Sequence, residues 1–323
     1  MRLFRVLASC FLFVASLAAG WPDLSSPPPE AGGGEEDAAV IVGIEDYVFV
    51  DDVLGARANA EDWYRYLTRT RRVPPGRIVL LRDHEGTDAQ IRQAVHRAVS
   101  MVESKGTLWF LYIGHGAPAK DGKDGLLVGA DAQQSAVGIY SRSVARSEIV
   151  ALLAEGKQAN AVMMLDSCFS GKTAGGSLAP DLQPLVPTYA IAATKGVTVF
   201  TGAASDQFAG PLPGVRRPAY SYLLLGALRG WGDKNGDGQV TAREASDYAK
   251  EALLATLRDR IQEPQLEGAE TDFVLANATE AGPDLIELAL GKTASAPLIE
   301  EIQVSAPEES SPPELAPAEE KML

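Results

Sequence analysis

Two uninterrupted apolar runs dominate the pattern of the chain, and each ends in polar chemistry. Thr107-Leu-Trp-Phe-Leu-Tyr-Ile-Gly-His-Gly116 delivers His115, and Ala161-Val-Met-Met-Leu-Asp-Ser-Cys-Phe-Ser-Gly171 delivers Cys168. Apolar runs without alternation predict strands buried on both faces. Further strands are expected at Ala38–Ile44, Arg77–Leu81, Leu126–Val128, Ala190–Ala193 and Val197–Gly202. Helical spacing separates them. Ala60, Trp63, Tyr64 and Leu67 mark a helix over Ala56–Arg69. Ile91, Val95, Ala98, Val99 and Val102 mark another that starts at a Thr87 or Asp88 cap and runs to about Lys105. A third is capped by Ser143 or Ser147 and ends at Gly156, and Pro218–Gly230 and Ala242–Arg260 complete the set. Strands alternating with helices predict a three-layer α/β sandwich, with a mostly parallel sheet covered by helices on both faces.

The ends of the chain break this pattern. Met1-Arg-Leu-Phe-Arg5 is cationic, Val6 to Leu17 is mostly apolar but short for a bilayer, and Ser16-Leu-Ala-Ala-Gly20 is small. Residues 1–20 therefore read as a secretory signal peptide, with an uncleaved anchor as the alternative. Export to a periplasmic or extracellular space is expected, with no stable membrane span after cleavage. Residues 21–37 hold Pro27-Pro-Pro29 and Gly32-Gly-Gly34 and read as a linker. Residues 38–290 read as one domain. Residues 291–323, rich in Pro, Glu, Ala and Ser, read as a disordered acidic tail. The formal charge of -14 and pI near 4.7 argue against nucleic acid as a partner.

Cleavage at about residue 20 would remove Cys10 and leave Cys168 as the only cysteine. A lone buried thiol is ordinarily an inert filler or else a reactive group. A nucleophilic cysteine needs a partner that takes its proton and returns one to the leaving group. Of the three histidines, His84 follows a strand, His96 lies within a helix, and only His115 sits between glycines at the end of an apolar strand. In an open parallel sheet, the carboxyl ends of strands are where ligands bind. Gly116 would let a substrate approach the backbone and present its N–H to an oxyanion. No Gly-x-Ser-x-Gly turn suggests a serine hydrolase.

A second motif is independent of the first. Asp233-Lys-Asn-Gly-Asp-Gly-Gln-Val-Thr-Ala-Arg-Glu244 has the spacing of an EF-hand calcium loop. Asp233, Asn235 and Asp237 fall at positions 1, 3 and 5, and Gly238 at 6. The Gln239 carbonyl lies at 7, Thr241 at 9 and Glu244 at 12. Calcium is the expected cofactor, in a structural role at the start of the following helix, and the chemistry itself requires none.

Tyr112-Ile-Gly-His-Gly116 followed by Leu165-Asp-Ser-Cys-Phe-Ser-Gly171 resembles the dyad of caspase-like cysteine peptidases, in their metacaspase-like and bacterial branch. The resemblance spans roughly Ala38 to Leu290. It implies a caspase-like fold and a cysteine endopeptidase with a protein or peptide substrate. In that assignment His115 is the general acid/base, Cys168 the nucleophile, and the Gly116 and Cys168 N–H groups the oxyanion hole. It further implies that Asp166 lines a pocket for a basic side chain before the cut. Ala203-Ala-Ser-Asp-Gln-Phe208, with Ser205 and Asp206, matches the later loop flanking that pocket. Bonds at or near Lys172 are implied candidates for self-cleavage. Two departures stand out. Ala58 and Asn59 replace an Asn-Asp pair in the early Gly-Ala-x-Asn-Asp-Ala block, and Ile113 replaces a Ser. Both leave open a binding module of the same fold without catalysis. A calcium-dependent interaction protein with an inert Cys168 is the third reading.

Overall fold

A computed structural model describes residues 20–173, 175–180, 182, 196–204, 206–268 and 271–290. The expected signal peptide, the tail, the strand at 190–193 and Ser205 lie outside the described residues.

The apolar runs become one six-stranded sheet. From one edge to the other, its strands are Gln265–Glu267, Val197–Thr201, Asn160–Asp166, Thr107–Ile113, Ala38–Gly43 and Ile78–Arg82. Five run parallel, and only the edge strand Gln265–Glu267 is antiparallel. Each central strand alternates its side chains between two separate cores. Trp109, Leu111, Val162, Met164 and Phe200 face the helices Ala56–Arg65, Ala219–Gly226 and Ala242–Thr256. Leu108, Phe110, Tyr112, Met163 and Leu165 face the helices Asp88–Met101 and Arg146–Ala154. Helices on both faces are why the strands show no polar alternation, and each large side chain buried this way contributes about 1.5–3 kcal/mol. The result is the α/β sandwich with a mostly parallel sheet that the pattern predicts.

Helix ends depart from expectation where tertiary contacts compete. Thr87 caps its helix by accepting from the Gln90 N–H. Neither Ser143 nor Ser147 caps the next long helix, which begins at Arg146 after Ala145. Ser143 is drawn instead into a short strand, and its hydroxyl donates to the Ile139 carbonyl. The helix expected to reach Arg260 ends at Thr256. Residues beyond it peel away to brace the loop after Val197–Thr201. Gln262 accepts from the Gly210 N–H and donates to the Gly202 carbonyl, and Arg260 donates to the Pro211 carbonyl.

Residues 21–37, expected as a linker with little to bury, are held against the body of the domain. Leu24 is buried, and Trp21 meets Tyr222 edge-on at 5.9 Å. Arg229 donates to the carbonyls of Leu24 and Ser26, and the Thr70 hydroxyl donates to that of Pro28. Asp37, buried, pairs with Arg71 and accepts from the Trp109 indole. Two apolar anchors and borrowed donors for the carbonyls hold a stretch whose Pro and Gly content alone reads as free chain.

Candidate active site

Strand register puts His115 and Cys168 at one edge. Ile113 pairs with Asp166 across the two neighbouring parallel strands, so each residue lies two positions beyond the last paired one. The Gly114 N–H still reaches the Asp166 carbonyl, at 3.3 Å. Both side chains line a cavity of about 480 Å³, together with Asp51, Asp52, Thr173, Phe208, Arg216 and others.

His115 is fixed on several sides. Its Nε2 lies 2.6 Å from the Asp51 carbonyl oxygen. A carbonyl only accepts, so Nε2 carries the hydrogen and Nδ1 is left as the basic nitrogen. Its backbone N–H donates to the Tyr47 hydroxyl at 2.8 Å, and its carbonyl accepts from the Tyr112 hydroxyl at 2.7 Å. Burial pushes the imidazole below its ordinary pKa, and the Asp51 carbonyl with the charges of Asp51 and Asp52 opposes this in part.

Cys168 is buried and free, and its Sγ donates to the Lys172 carbonyl at 3.1 Å. Burial raises the thiol above its ordinary value. The thiol and imidazole thus both favour their neutral forms at rest. Gly116 meets the cysteine turn at close quarters: a Cβ there would come within 2.4 Å of the Ser167 Oγ and 2.7 Å of the Cys168 carbonyl oxygen. Only glycine lets the two strand ends approach this closely. The Ser167 hydroxyl is buried and has no partner among the described residues.

The proposed specificity residues separate. Asp166 lines the cavity, yet its Oδ2 accepts from both the N–H and the hydroxyl of Ser221, at 2.7 and 2.6 Å. Burial raises its pKa. Asn59, where the related pattern has an acid, is also committed: it donates to the Pro218 carbonyl and Ser221 Oγ, and accepts from Arg217. Asp206 is met through its backbone, its carbonyl accepting from Lys172 Nζ at 3.3 Å. Phe208, from the same expected loop, lines the cavity. Asp51 and Asp52 went unread in the sequence. They sit in an irregular loop with no periodicity, and their only cue is an acidic pair just before the Gly55 block.

The loop expected to bind calcium is locally well built. The Asp233 carboxylate accepts from the N–H groups of Gly236, Asp237 and Gly238, and Asp237 Oδ1 accepts from Gln239 N–H. Gly236 and Gly238 both take positive φ, 74° and 81°. Val240 is buried and pairs with Ala276 on the antiparallel strand Val274–Asn277. Glu244, however, accepts from the N–H and hydroxyl of Thr241 and so closes a capping box on its own helix. No group of three or more His, Cys, Asp or Glu side chains among the described residues converges as metal ligands. Asp233, Asn235 and Asp237 suit the cation, and Glu244 would have to leave its cap to join them.

Residues 38–175 match the family model described as "Metacaspase, peptidase C14 domain". This stretch is thus similar to a metacaspase peptidase C14 domain. It contains both strand ends that carry His115 and Cys168. The fold is similar to the crystal structure of protein GSU0716 from Geobacter sulfurreducens, with a TM-score of 0.52 at 16% identity. That likeness covers 73% of this chain and 94% of the other, and at such identity it speaks for the fold alone. No curated protein sequence matches the chain.

Proposed function

We propose that the protein is an exported cysteine endopeptidase in which Cys168 attacks and His115 manages the proton. The observation that carries this is the register: Ile113 opposite Asp166 sends both residues into one cavity. In the reaction, His115 Nδ1 takes the thiol proton as Sγ forms a bond to the substrate carbonyl carbon. The carbonyl oxygen gains the charge, which the N–H groups of Gly116 and Cys168 receive. His115 then gives the proton to the leaving amine as the C–N bond breaks. Water, deprotonated by the same nitrogen, releases the acyl group. The Asp51 carbonyl serves throughout by holding Nε2–H, so that Nδ1 stays the basic nitrogen.

The substrate is a peptide with a basic residue before the cut. Support comes from two exposed carboxylates on the cavity lining, Asp51 and Asp52, against the single guanidinium of Arg216 among the lining residues. Export rests on the cationic, apolar and small-residue order of residues 1–20. No helix among the described residues is long and apolar enough to cross a membrane. Calcium binding by Asp233, Asn235, Asp237, the Gln239 carbonyl, Thr241 and Glu244 belongs to the same reading. It rests on their spacing, and the ion would anchor the start of the helix Ala242–Thr256.

A catalytically silent binding module is favoured by one observation: the Cys168 thiol is already engaged by the Lys172 carbonyl. One experiment separates the two readings. Peptides with Arg, Lys, Asp or Asn before the bond are offered to the wild type and to Cys168→Ala, and a thiol-directed peptide electrophile is titrated alongside. Cleavage after Arg and Lys that is lost in Cys168→Ala, with stoichiometric labelling of the wild type, is the expected result. No cleavage and no labelling sinks the enzyme reading.

A further inference from the structure

Gly114 and Gly116 flank His115, and different neighbours forbid a side chain at each. At Gly116 the obstruction is the cysteine turn. At Gly114 it is a pair of tyrosines: a Cβ would come within 2.6 Å of the Tyr47 hydroxyl and 3.0 Å of the Tyr112 hydroxyl. Both phenols are buried, and their oxygens lie 3.3 Å apart. Tyr112 points its hydrogen at the carbonyls of His115 and Val128, at 2.7 and 2.8 Å. Tyr47 accepts from the His115 N–H and faces the Val128 carbonyl at 3.4 Å. Neither phenol ionises near neutral pH, because burial pushes both well above the usual range. They hold shape and carry no proton.

Tyr47 makes two more contacts that bear on the imidazole. Its ring lies against the His115 ring, with centroids 4.8 Å apart and planes at 46°. Its backbone N–H donates to Asp52 Oδ1 at 3.2 Å. Asp52 follows the residue whose carbonyl takes Nε2–H. Tyr47 therefore touches the His115 backbone, one face of its ring, and the loop that supplies its acceptor.

We infer that Tyr47 is a positioning residue for the acid/base: it fixes the imidazole orientation and the Nε2–H tautomer that leave Nδ1 free for the Cys168 proton. This rests on the peptidase reading above, but its physical content does not. An imidazole without a ring against its face can flip about χ2, which exchanges Nδ1 with Cδ2 and Nε2 with Cε1. The flip would place Cε1 at the Asp51 carbonyl, so the hydrogen bond that fixes the Nε2–H tautomer would be lost and Nδ1 would move to the other side of the ring.

The test uses the full chain and two substitutions. Tyr47→Phe keeps the ring and removes the acceptor for the His115 N–H. Tyr47→Leu removes the ring as well. Rates are normalised to sites titrated by the thiol electrophile. We expect kcat to fall about tenfold in Tyr47→Phe and at least a hundredfold in Tyr47→Leu, with KM within twofold. The acid limb of the Tyr47→Leu profile should move up toward the ordinary histidine value as water reaches the ring. Imidazole nitrogen chemical shifts, read in a Cys168→Ala background and assigned with His115→Ala, report the tautomer without any turnover. Nε2–H alone with Tyr47 present and a mixture in Tyr47→Leu is the expected result. A purely structural tyrosine would lower Tm while leaving kcat per titrated site, the acid limb and the tautomer unchanged, and that outcome overturns the inference. A wild type that cleaves nothing yet shows the fixed tautomer sinks the peptidase reading and keeps the positioning role. If Tyr47→Leu does not fold, a normal kcat per site in Tyr47→Phe with an unchanged tautomer is enough to reject it.

Discussion

The strand-end site and the loop 233–244 are built in opposite ways. At the site, partners come from far along the chain: Tyr47 is 68 positions from His115, Asp51 is 64, and Ser221 is 55 from Asp166. In the loop, Asp233, Asp237 and Glu244 find their backbone partners within five positions. A local loop holds its shape by turn chemistry and a helix cap, so one substitution removes a hydrogen bond or two. The site exists only where several elements are already packed, so a small intrusion displaces groups from several elements at once. The same contrast separates the three acids of the cavity lining. Asp166 has been drawn into the packing by Ser221, while Asp51 and Asp52 stay exposed at the cavity mouth.

The contrast is broken most directly at Gly116. Gly116→Ala forces a methyl against Ser167 Oγ and the Cys168 carbonyl, and backbone does not yield cheaply. Expected are a loss of kcat of about a hundredfold or more and destabilisation of about 1–3 kcal/mol, read by kinetics and denaturant unfolding. Wild-type activity in this variant would mean the two strand ends are not held as closely as described.

A smaller effect appears in pH dependence. Nδ1 must be unprotonated to take the thiol proton, and burial lowers the His115 pKa, so the acid limb of kcat/KM should fall below 6.5. The Cys168 thiol is raised above 9.0, so the basic limb lies above that value, and the plateau is broader than ordinary residues would give. The same lowering has a stability sign. The unfolded chain binds a proton at His115 more readily than the native state. The contribution is therefore complete above about 6.5 and is lost as pH falls toward the native value. An acid limb above 6.5 would show that water reaches the ring.

The smallest effect belongs to the local loop. With a dissociation constant of about 0.1–1 mM, 10 mM calcium would stabilise the native state by about 1.4–2.7 kcal/mol. Calorimetry should show this rise in Tm for the wild type and its loss in Glu244→Gln, with peptide cleavage little changed. Equal Tm values with calcium and with chelator would remove calcium from the reading.

Much of this was legible from residue order, and where it failed the cause is physical. The apolar runs at 107–113 and 161–165 give strands because both faces are buried, and their polar ends gave His115, Cys168 and Asp166. Thr87 as a cap and the turn glycines of 233–244 are local decisions. Tyr47, Asp51 and Ser221 could not be read, because each acts through a partner 55 or more positions away and has no local pattern of its own. Ser143 failed as a cap because a strand competed for it. Residues 21–37 failed as a linker because Leu24 and Trp21 found apolar partners that composition does not reveal. The sequence alone determined which groups could do chemistry and which loop could hold an ion. The tertiary structure decided which nitrogen of His115 stays basic, which acid is withdrawn into the core, and why glycine stands on both sides of the histidine. Those are properties of distances between remote segments, and distances are set by packing rather than by order along the chain.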